Sequence, residues 1–298
     1  MGSKILYYLI IIPTSSLPFW VLYLISDFLY LALYKLIGYR RKVVFNNIQN
    51  SFPEKSKKEV LEIESKFYSH LCDLIVESIK AFTISAEEAT KRMKDRDLST
   101  MNKYAKQGRH AVMVGGHYGS WELIAITAGI TIPYKPLALY TPLKNKFMND
   151  KITQSRSKYG LGMMPIKSIK DQLNELDNKE PFAVIFGADQ SPRKSQRAYW
   201  MKFLNQETGV QFGTEKFAKE FDAVVIFANI YKMKRGYYEV DYQLITDTPK
   251  ETEDGFITES HTKLLEQVII KQPEYWLWSH KRWKHKRPKD QPLNNLLG

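Results

Sequence analysis

A histidine and a glutamate stand five positions apart in a glycine-rich stretch of the sequence. Residues 115–122 read Gly-Gly-His-Tyr-Gly-Ser-Trp-Glu, which places His117 near the start and Glu122 at the end. A carboxylate on one imidazole nitrogen fixes the tautomer and leaves the other nitrogen to accept a proton. We therefore interpret His117 and Glu122 as a candidate general-base dyad. The alternative is a histidine that only caps a helix or hydrogen-bonds within the loop.

The local elements decide whether these two side chains can meet. On one continuous helix, positions i and i+5 lie about 140° apart, so the two side chains would diverge. Ser120 is a favoured residue at a helix N-cap, which predicts a loop through His117 and Glu122 in the first helical turn. The chain then doubles back, and the helix dipole favours an ionised Glu122. The glycines on either side of His117 permit backbone angles that other residues resist.

Alternation of short apolar runs with helical stretches predicts an α/β fold with a central sheet flanked by helices. The turn Lys234-Arg235-Gly236 between two strand-like runs predicts a hairpin, which makes the sheet mixed. In such sheets, functional residues collect where loops leave the carboxyl ends of strands. The strands are predicted at 111–114, 137–140, 182–186 and 224–228, and the helices at 53–82, 121–129, 145–159 and 169–176.

The first 45 residues form a hydrophobic membrane anchor by composition, and residues 46–298 form the α/β domain. The run 19–37 has only Asp27 and Lys35 charged. A helix over this run would be about 28 Å long, close to the ~30 Å hydrocarbon core of a bilayer. The basic residues at 40–42 predict that the rest of the chain lies on the cytoplasmic side. Whether the helix spans the membrane or lies in the interface stays open, and a buried amphipathic helix is the alternative.

The charge balance predicts an anionic partner. The 298 residues include 44 Lys and Arg against 32 Asp and Glu, for a net charge of +12. Nucleic acid and the phosphate face of a membrane both fit such a surplus. Trp276, Trp278 and Trp283 lie among lysines and arginines near the end of the sequence. This pattern suits a lipid surface, nucleic acid or partly a core, and the anchor makes lipid the simpler partner.

Several kinds of site are not supported by the sequence. The single cysteine, Cys72, excludes an intramolecular disulfide and cysteine-rich zinc sites. The six histidines show no paired metal spacing, so no metal is expected. Neither a phosphate-binding loop nor a dinucleotide fingerprint is present, so no cofactor is expected. Ser120 lacks the Gly-x-Ser-x-Gly elbow of serine hydrolases.

Four blocks in order along the chain resemble one family. The segment 115–122 resembles the His-x4-Asp/Glu block of glycerolipid acyltransferases, and in particular the late lipid A acyltransferases, the lauroyl and myristoyl transferases of lipopolysaccharide synthesis. Tyr-Thr-Pro-Leu-Lys-Asn at 140–145, followed by Arg156, is similar to the second block of that branch. Gly-Ala-Asp-Gln at 187–190 is similar to the third block, and the segment 273–284 to the terminal one.

The resemblance implies a membrane-bound O-acyltransferase. It would move a fatty acyl chain from an acyl-carrier-protein thioester, or from acyl-CoA, to a hydroxyl of a lipid A-type phosphoglycolipid, without a covalent acyl-enzyme. Its implied place is the bacterial cytoplasmic (inner) membrane, with the catalytic domain on the cytoplasmic side and no nucleic-acid partner. An aminolipid or lysophospholipid acceptor, or a non-catalytic lipid-binding scaffold of the same fold, remains the alternative.

The same resemblance gives roles to individual residues. His117 would take a proton from the acceptor hydroxyl, and Glu122 would orient it. Arg156 would contact the oxyanion or a lipid phosphate. Lys144 and Asn145 would be phosphate contacts, with a solvated helix start as the alternative.

Two further groups follow the strand predicted at 182–186. Asp189 and Gln190 would support the site. For Asp189 we favour a role in bracing the loops over one as a second carboxylate at His117. Arg193, Lys194 and Arg197 would contact a carrier protein or phosphate, with a solvated loop as the alternative.

Overall fold

The computed structural model describes residues 2–169 and 180–297, without the side chains of Ser168 and Arg197. The helix predicted at 169–176 therefore lies almost wholly outside the described residues.

Within the described residues, seven strands form one mixed sheet, which carries the candidate site. Their order is β1-β9-β8-β2-β5-β3-β4, and every pair is parallel except the antiparallel β8–β9 hairpin. Two more strands, β6 and β7, pair as a separate antiparallel hairpin. The strands are β1 Met93–Asp95, β2 Ala111–Gly115, β3 Lys135–Tyr140, β4 Gly162–Pro165, β5 Phe182–Gly187, β6 Ala198–Phe203, β7 Gln206–Gln211, β8 Val224–Lys234 and β9 Tyr237–Thr246.

The mixed α/β prediction and all four predicted strands are confirmed. Strand β2 lies between β8 and β5, and its residues from Ala111 to Val114 are fully buried. A strand covered by helices on both faces of a parallel sheet reads as a continuous apolar run, and this run made β2 recognisable. The predicted hairpin is also present, because Arg235 and Gly236 join β8 to β9.

The helices cover the sheet and begin where the local sequence caps them. Helix α5 begins after Ser56, which forms a reciprocal capping box with Glu59, so it starts four residues later than the predicted helix at 53–82. The helices are α1 Gly2–Ile5, α2 Ile12–Ser16, α3 Phe19–Tyr30, α4 Arg41–Ser51, α5 Lys57–Lys80, α6 Ala86–Arg92, α7 Ser99–Lys106, α8 Trp121–Thr131, α9 Lys146–Ser157, α10 Gly213–Phe221 and α11 Phe256–Lys271.

Two apolar helical segments precede α4. The π-helical turns Leu6–Ile11 join α1 to α2. The π-helical turns Leu31–Ile37 extend α3 up to Gly38, whose positive φ of 66° ends the helix. The segment Phe19–Ile37, which we call the anchor helix, is long and apolar enough to cross a membrane by length and composition. The division into residues 1–45 and 46–298 stays a prediction.

The C-terminal tryptophans belong to the core. A short 3₁₀ turn, Pro273–Tyr275, leads into an irregular segment in which Trp276 and Trp278 are fully buried. The expectation of a lipid-facing surface is therefore wrong for these two side chains. The alternative prediction, that some of these tryptophans belong to the core, is confirmed.

Candidate active site

His117 and Asp189 meet because of strand register. Gly115 ends β2 and Gly187 ends β5, and these two residues pair directly across the parallel strands. His117 and Asp189 each follow two residues later, so both side chains emerge at the same edge of the sheet. His117 Nδ1 lies 2.7 Å from Asp189 Oδ1, and the backbone N–H of His117 donates to Asp189 Oδ2 over 2.9 Å.

Asp189 is a buried, ionised carboxylate. Burial alone would raise its pKa, but the charge of His117 and the hydrogen bonds from His117 and Trp276 lower the pKa of Asp189 to about 2. The indole Nε1–H of Trp276 donates to Oδ2 over 2.8 Å. Asp189 therefore accepts three N–H bonds and fixes the orientation of the imidazole.

The second ring nitrogen of His117 points to Gln190. The amide nitrogen of Gln190 lies 3.2 Å from His117 Nε2. With Nδ1–H donating to Asp189, Nε2 carries the lone pair and accepts this contact. Burial lowers the pKa of His117. The charge and hydrogen bond of Asp189 and the charge of Glu122 raise this pKa by more than burial lowers it, so the net shift is upward from 6.5. This is the electrostatic setting of a general base.

Glu122 pairs with Arg156 in place of the expected direct contact with His117. It lies in the first turn of α8, and Arg156 lies in the last turn of α9. The guanidinium of Arg156 binds the carboxylate of Glu122 through two hydrogen bonds, with Nε donating to Oε2 over 3.0 Å and Nη2 donating to Oε1. Both ring nitrogens of His117 have other partners, so Glu122 reaches the imidazole through charge alone.

Two cavities meet at His117. An open cleft of about 810 Å³ has a mixed lining, in which the basic side chains of Arg156, Arg193 and Lys194 lie among polar residues and apolar ones such as Leu143 and Ile152. A second cavity of about 180 Å³ is lined mainly by apolar side chains from β2, α8 and β5. His117 and Arg156 line both cavities. The imidazole thus borders both a cleft that contains basic side chains and a mainly apolar cavity.

Comparison with known proteins identifies the family of this chain. The family model described as bacterial lipid A biosynthesis acyltransferase matches residues 3–285. The chain belongs to this family. It is therefore an acyltransferase, as the ordered sequence blocks predicted.

Individual relatives of this acyltransferase share about a quarter of its residues. A lipid A biosynthesis lauroyltransferase of Escherichia coli strain K12 is 24% identical over 281 residues, which cover 93% of this chain and 89% of that protein. A lipid A biosynthesis palmitoleoyltransferase of the same strain is 23% identical over 248 residues, covering 82% and 79%. A lipid A biosynthesis acyltransferase of Haemophilus influenzae is 22% identical over 251 residues, covering 83% and 79%.

A glycine permits the close packing of His117 in this acyltransferase. A Cβ atom added at Gly187 would lie 3.1 Å from His117 Cε1 and 3.7 Å from Nδ1. The 3.1 Å contact is tighter than ordinary van der Waals separation, so a side chain at position 187 would displace the ring by a few tenths of an ångström. Gly187 therefore allows the ring of His117 to lie close to the backbone, and its own backbone angles are not in the left-handed region.

The remaining predicted residues take different places. Asn145 caps α9, with its Oδ1 accepting the N–H of Met148, and Lys144 is exposed beside it. Arg193 and Lys194 line the cleft, and Arg193 Nη2 donates to Thr141 Oγ1 over 2.9 Å. The side chain of Arg197 lies outside the described part of the structure.

The terminal block supplies residues whose role in the site was not predicted. Besides Trp276, its His280 accepts the backbone N–H of Ser191 at Nε2 over 3.0 Å. The same segment also binds the loop that carries His117, since the backbone N–H of Leu277 donates to the carbonyl of His117. The sequence analysis recognised the tryptophan-rich segment as a block of the family. It could not predict the contact of Trp276 with Asp189, because these residues are 87 positions apart and meet only in the folded chain.

Glu77 of α5 was also missed. Its carboxylate accepts a hydrogen bond from Ser120 Oγ over 2.9 Å, so Ser120 begins α8 without capping it through its side chain. Burial raises the pKa of Glu77 to about 7, with Asp73 adding to the shift. The hydroxyl of Tyr238 donates to the same carboxylate. Glu77 thereby ties the turn before Glu122 to the core.

Proposed function

We propose that this acyltransferase moves a fatty acyl chain from an acyl-carrier-protein thioester to a hydroxyl of a lipid A-type phosphoglycolipid, with acyl-CoA as the second-choice donor. The observation that carries the proposal is the place of His117, between a basic cleft and an apolar cavity. The first suits a phosphorylated acceptor and the second suits part of an acyl chain. The names of the relatives, which are lipid A acyltransferases, support this acceptor.

His117 acts as the general base in the proposed reaction. Its Nε2 takes the proton of the acceptor hydroxyl while the hydroxyl oxygen attacks the thioester carbonyl carbon. The tetrahedral intermediate then collapses, the C–S bond breaks, and the imidazolium returns the proton to the leaving thiolate. Asp189 stabilises the imidazolium and keeps the ring oriented throughout. Gln190 must yield its place at Nε2 to the acceptor hydroxyl.

Arg156 serves the developing negative charge. Two of its N–H groups hold Glu122, which leaves others for an oxyanion or a phosphate at the junction of the cavities. Preorganised donors of this kind contribute roughly 3–4 kcal/mol each to transition-state stabilisation. Glu122 holds the guanidinium of Arg156 in place, and its negative charge stabilises the imidazolium form of His117.

Direct transfer fits the side chains near the site. Cys72 is buried, and burial raises the pKa of its thiol to about 11, so it is no nucleophile at neutral pH. The hydroxyl of Ser120 is buried and bonded to Glu77. In the proposed reaction the acyl group therefore passes directly from donor to acceptor within a ternary complex. This complex forms at the surface of the bacterial inner membrane, with the catalytic domain on the cytoplasmic side.

Mass spectrometry of membrane lipids tests this function. A strain lacking the gene should lose one acyl chain from lipid A, and the parent gene should restore it. The variant His117→Ala should fail to restore it while remaining in the membrane fraction. A chain missing from an aminolipid or a phospholipid would replace the proposed acceptor. Full restoration by His117→Ala would favour a scaffold over an enzyme that uses this base.

A further inference from the structure

The anchor helix is apolar in composition but carries polar side chains along one face. Their positions are three, four, seven and eleven residues beyond the first, which is the spacing of a single helix face. The polar residues are Tyr23, Ser26, Asp27, Tyr30 and Tyr34.

Buried acidic side chains of α5 accept hydrogen bonds from the first part of this face. Ser26 Oγ donates to Asp73 Oδ1 over 2.8 Å, and both side chains are buried. The hydroxyl of Tyr23 donates to Glu77 Oε1 over 3.2 Å. Such polar contacts hold the helix to the catalytic domain and replace water for both partners.

The second part of the face makes matching contacts nearer the start of α5. The hydroxyls of Tyr30 and Ser65 lie 2.8 Å apart, and the hydroxyl of Tyr34 lies 3.5 Å from Glu64 Oε2. Partner numbers on α5 fall as numbers on the anchor helix rise. The anchor helix therefore lies antiparallel along α5 over most of its length.

Further contacts fix the helix at its flank and at the turn before it. Asp27 pairs with Arg235 of the β8–β9 turn at 2.6 Å. At the other end of α5, Lys80 Nζ donates to the carbonyls of Ser15 and Leu17 over 3.0 and 2.9 Å. The turn between the two apolar helical segments is thus bound to the catalytic domain as well.

The opposite face of the anchor helix is apolar and exposed. Trp20 is 68% exposed, Leu24 60% and Phe28 69%. The earlier segment likewise exposes Leu9 and Ile10. Contiguous apolar surface of this kind marks a contact with a partner or a membrane.

Charges on α5 limit how deep this surface can enter a bilayer. Lys57, Lys58, Glu62 and Lys66 line an open groove beside Lys35 near the end of the anchor helix. Charged side chains are costly in the hydrocarbon core and favourable at anionic headgroups. Because the anchor helix is bound along α5, it cannot cross the bilayer without carrying this charged flank with it.

We infer that the chain enters only one leaflet. The exposed apolar faces of the two N-terminal helical segments contact the acyl chains of that leaflet, and the lysine-lined groove contacts its headgroups. Ser3 and the catalytic domain then lie on the same side of the membrane. The inference rests on the membrane association proposed above and adds a topology to it.

A double-cysteine variant tests this topology without measuring activity. Ser3→Cys and Lys289→Cys are combined with Cys72→Ser, and the protein is reconstituted into sealed vesicles of phosphatidylethanolamine and phosphatidylglycerol. A membrane-impermeant maleimide is added outside, and intact-protein mass spectrometry counts the labels on each molecule. We expect molecules with two labels or none, and two labels on all molecules after detergent lysis. Phe28→Cys should stay unlabelled until lysis.

A spanning helix gives a different count. Each molecule would then carry one label before lysis, whatever its orientation, and the inference would be overturned while the proposed function stood. Protein that does not float with the vesicles would contradict membrane association itself, and with it both the inference and the membrane part of the proposed function.

Discussion

At Asp189, two N–H donors share one carboxylate oxygen, and this sets the tautomer of His117. The backbone N–H of His117 and the indole of Trp276 both point at Oδ2. In Asp189→Asn, the amide oxygen must face these donors, so its NH₂ group faces Nδ1. The neutral ring then carries its proton on Nε2 and cannot act as a base. We expect the transfer rate to fall by about 10²–10⁴-fold, measured as single-turnover acyl transfer.

A matched control separates this effect from loss of charge in general. Asp254 is 86% exposed in its side chain and pairs with Lys219, so Asp254→Asn makes the same chemical change at the surface, without touching the hydrogen bonds of His117. It should transfer at the parental rate. Parental activity in Asp189→Asn would contradict the role given to Asp189.

The pH dependence of transfer reports on the charges around His117. The base must be neutral, so kcat/KM should fall as pH drops through a midpoint above 6.5, because the pKa of His117 is raised. The charge of Glu122 raises this pKa and that of Arg156 lowers it. Glu122→Gln should therefore move the midpoint to lower pH, and Arg156→Gln should move it to higher pH. Shifts of the same sign in both variants would contradict this electrostatic setting.

On the scale of elements, the pairing of β2 with β5 positions the site, and Gly187 permits it. In Gly187→Ala, the new Cβ would press on the ring of His117. The ring would shift by a few tenths of an ångström. Since a displacement of about 1 Å costs up to 10²-fold in rate, we expect a loss of kcat/KM of about 3- to 10-fold with little change in melting temperature. Gly2→Ala is the control, because a Cβ there meets no atom within 4 Å and Gly2 lines neither cavity at His117. Equal rates for both variants would count against the close packing of His117.

The same strand pairing shows how far the sequence predicts this molecule. The apolar run of β2 and the block 115–122 are local signals, and they led directly to the strand, the loop and His117. Asp189 was recognised as a site residue, but its contact with His117 follows from the adjacency of β2 and β5, whose paired glycines are 72 positions apart in the sequence. Local spacing favoured Glu122 as the carboxylate partner of His117. The sequence near His117 contains no sign that the order of the strands brings Asp189 to the imidazole instead.

On the scale of the whole molecule, the surplus of positive charge adds salt-sensitive membrane attraction to the apolar contact. Raising salt from 0.1 to 1 M shortens the screening length from about 10 Å to 3 Å. Binding to vesicles rich in phosphatidylglycerol should therefore weaken with salt. Binding to neutral vesicles should change little, because it rests on apolar contact. Vesicle co-flotation measures both.

The lysines of the groove beside the anchor helix should carry part of this attraction. Replacing Lys57, Lys58 and Lys66 with Gln should lower affinity for anionic vesicles by about 1 kcal/mol per lysine. Replacing the exposed lysines 202, 250 and 289 with Gln changes the net charge equally and is the control. Equal losses in the two triple variants would contradict a specific place for the groove at the membrane.

The most direct measurement of the central claim is acyl transfer by purified protein. Labelled acyl-carrier thioester and a lipid A precursor in mixed micelles are incubated with the parent chain, with His117→Ala and with His110→Ala. His110 immediately precedes β2, at the opposite end of that strand from His117. We predict acylated lipid and free carrier thiol from the parent and from His110→Ala, and at least a 10²-fold lower rate from His117→Ala. Parental transfer by His117→Ala would contradict the account.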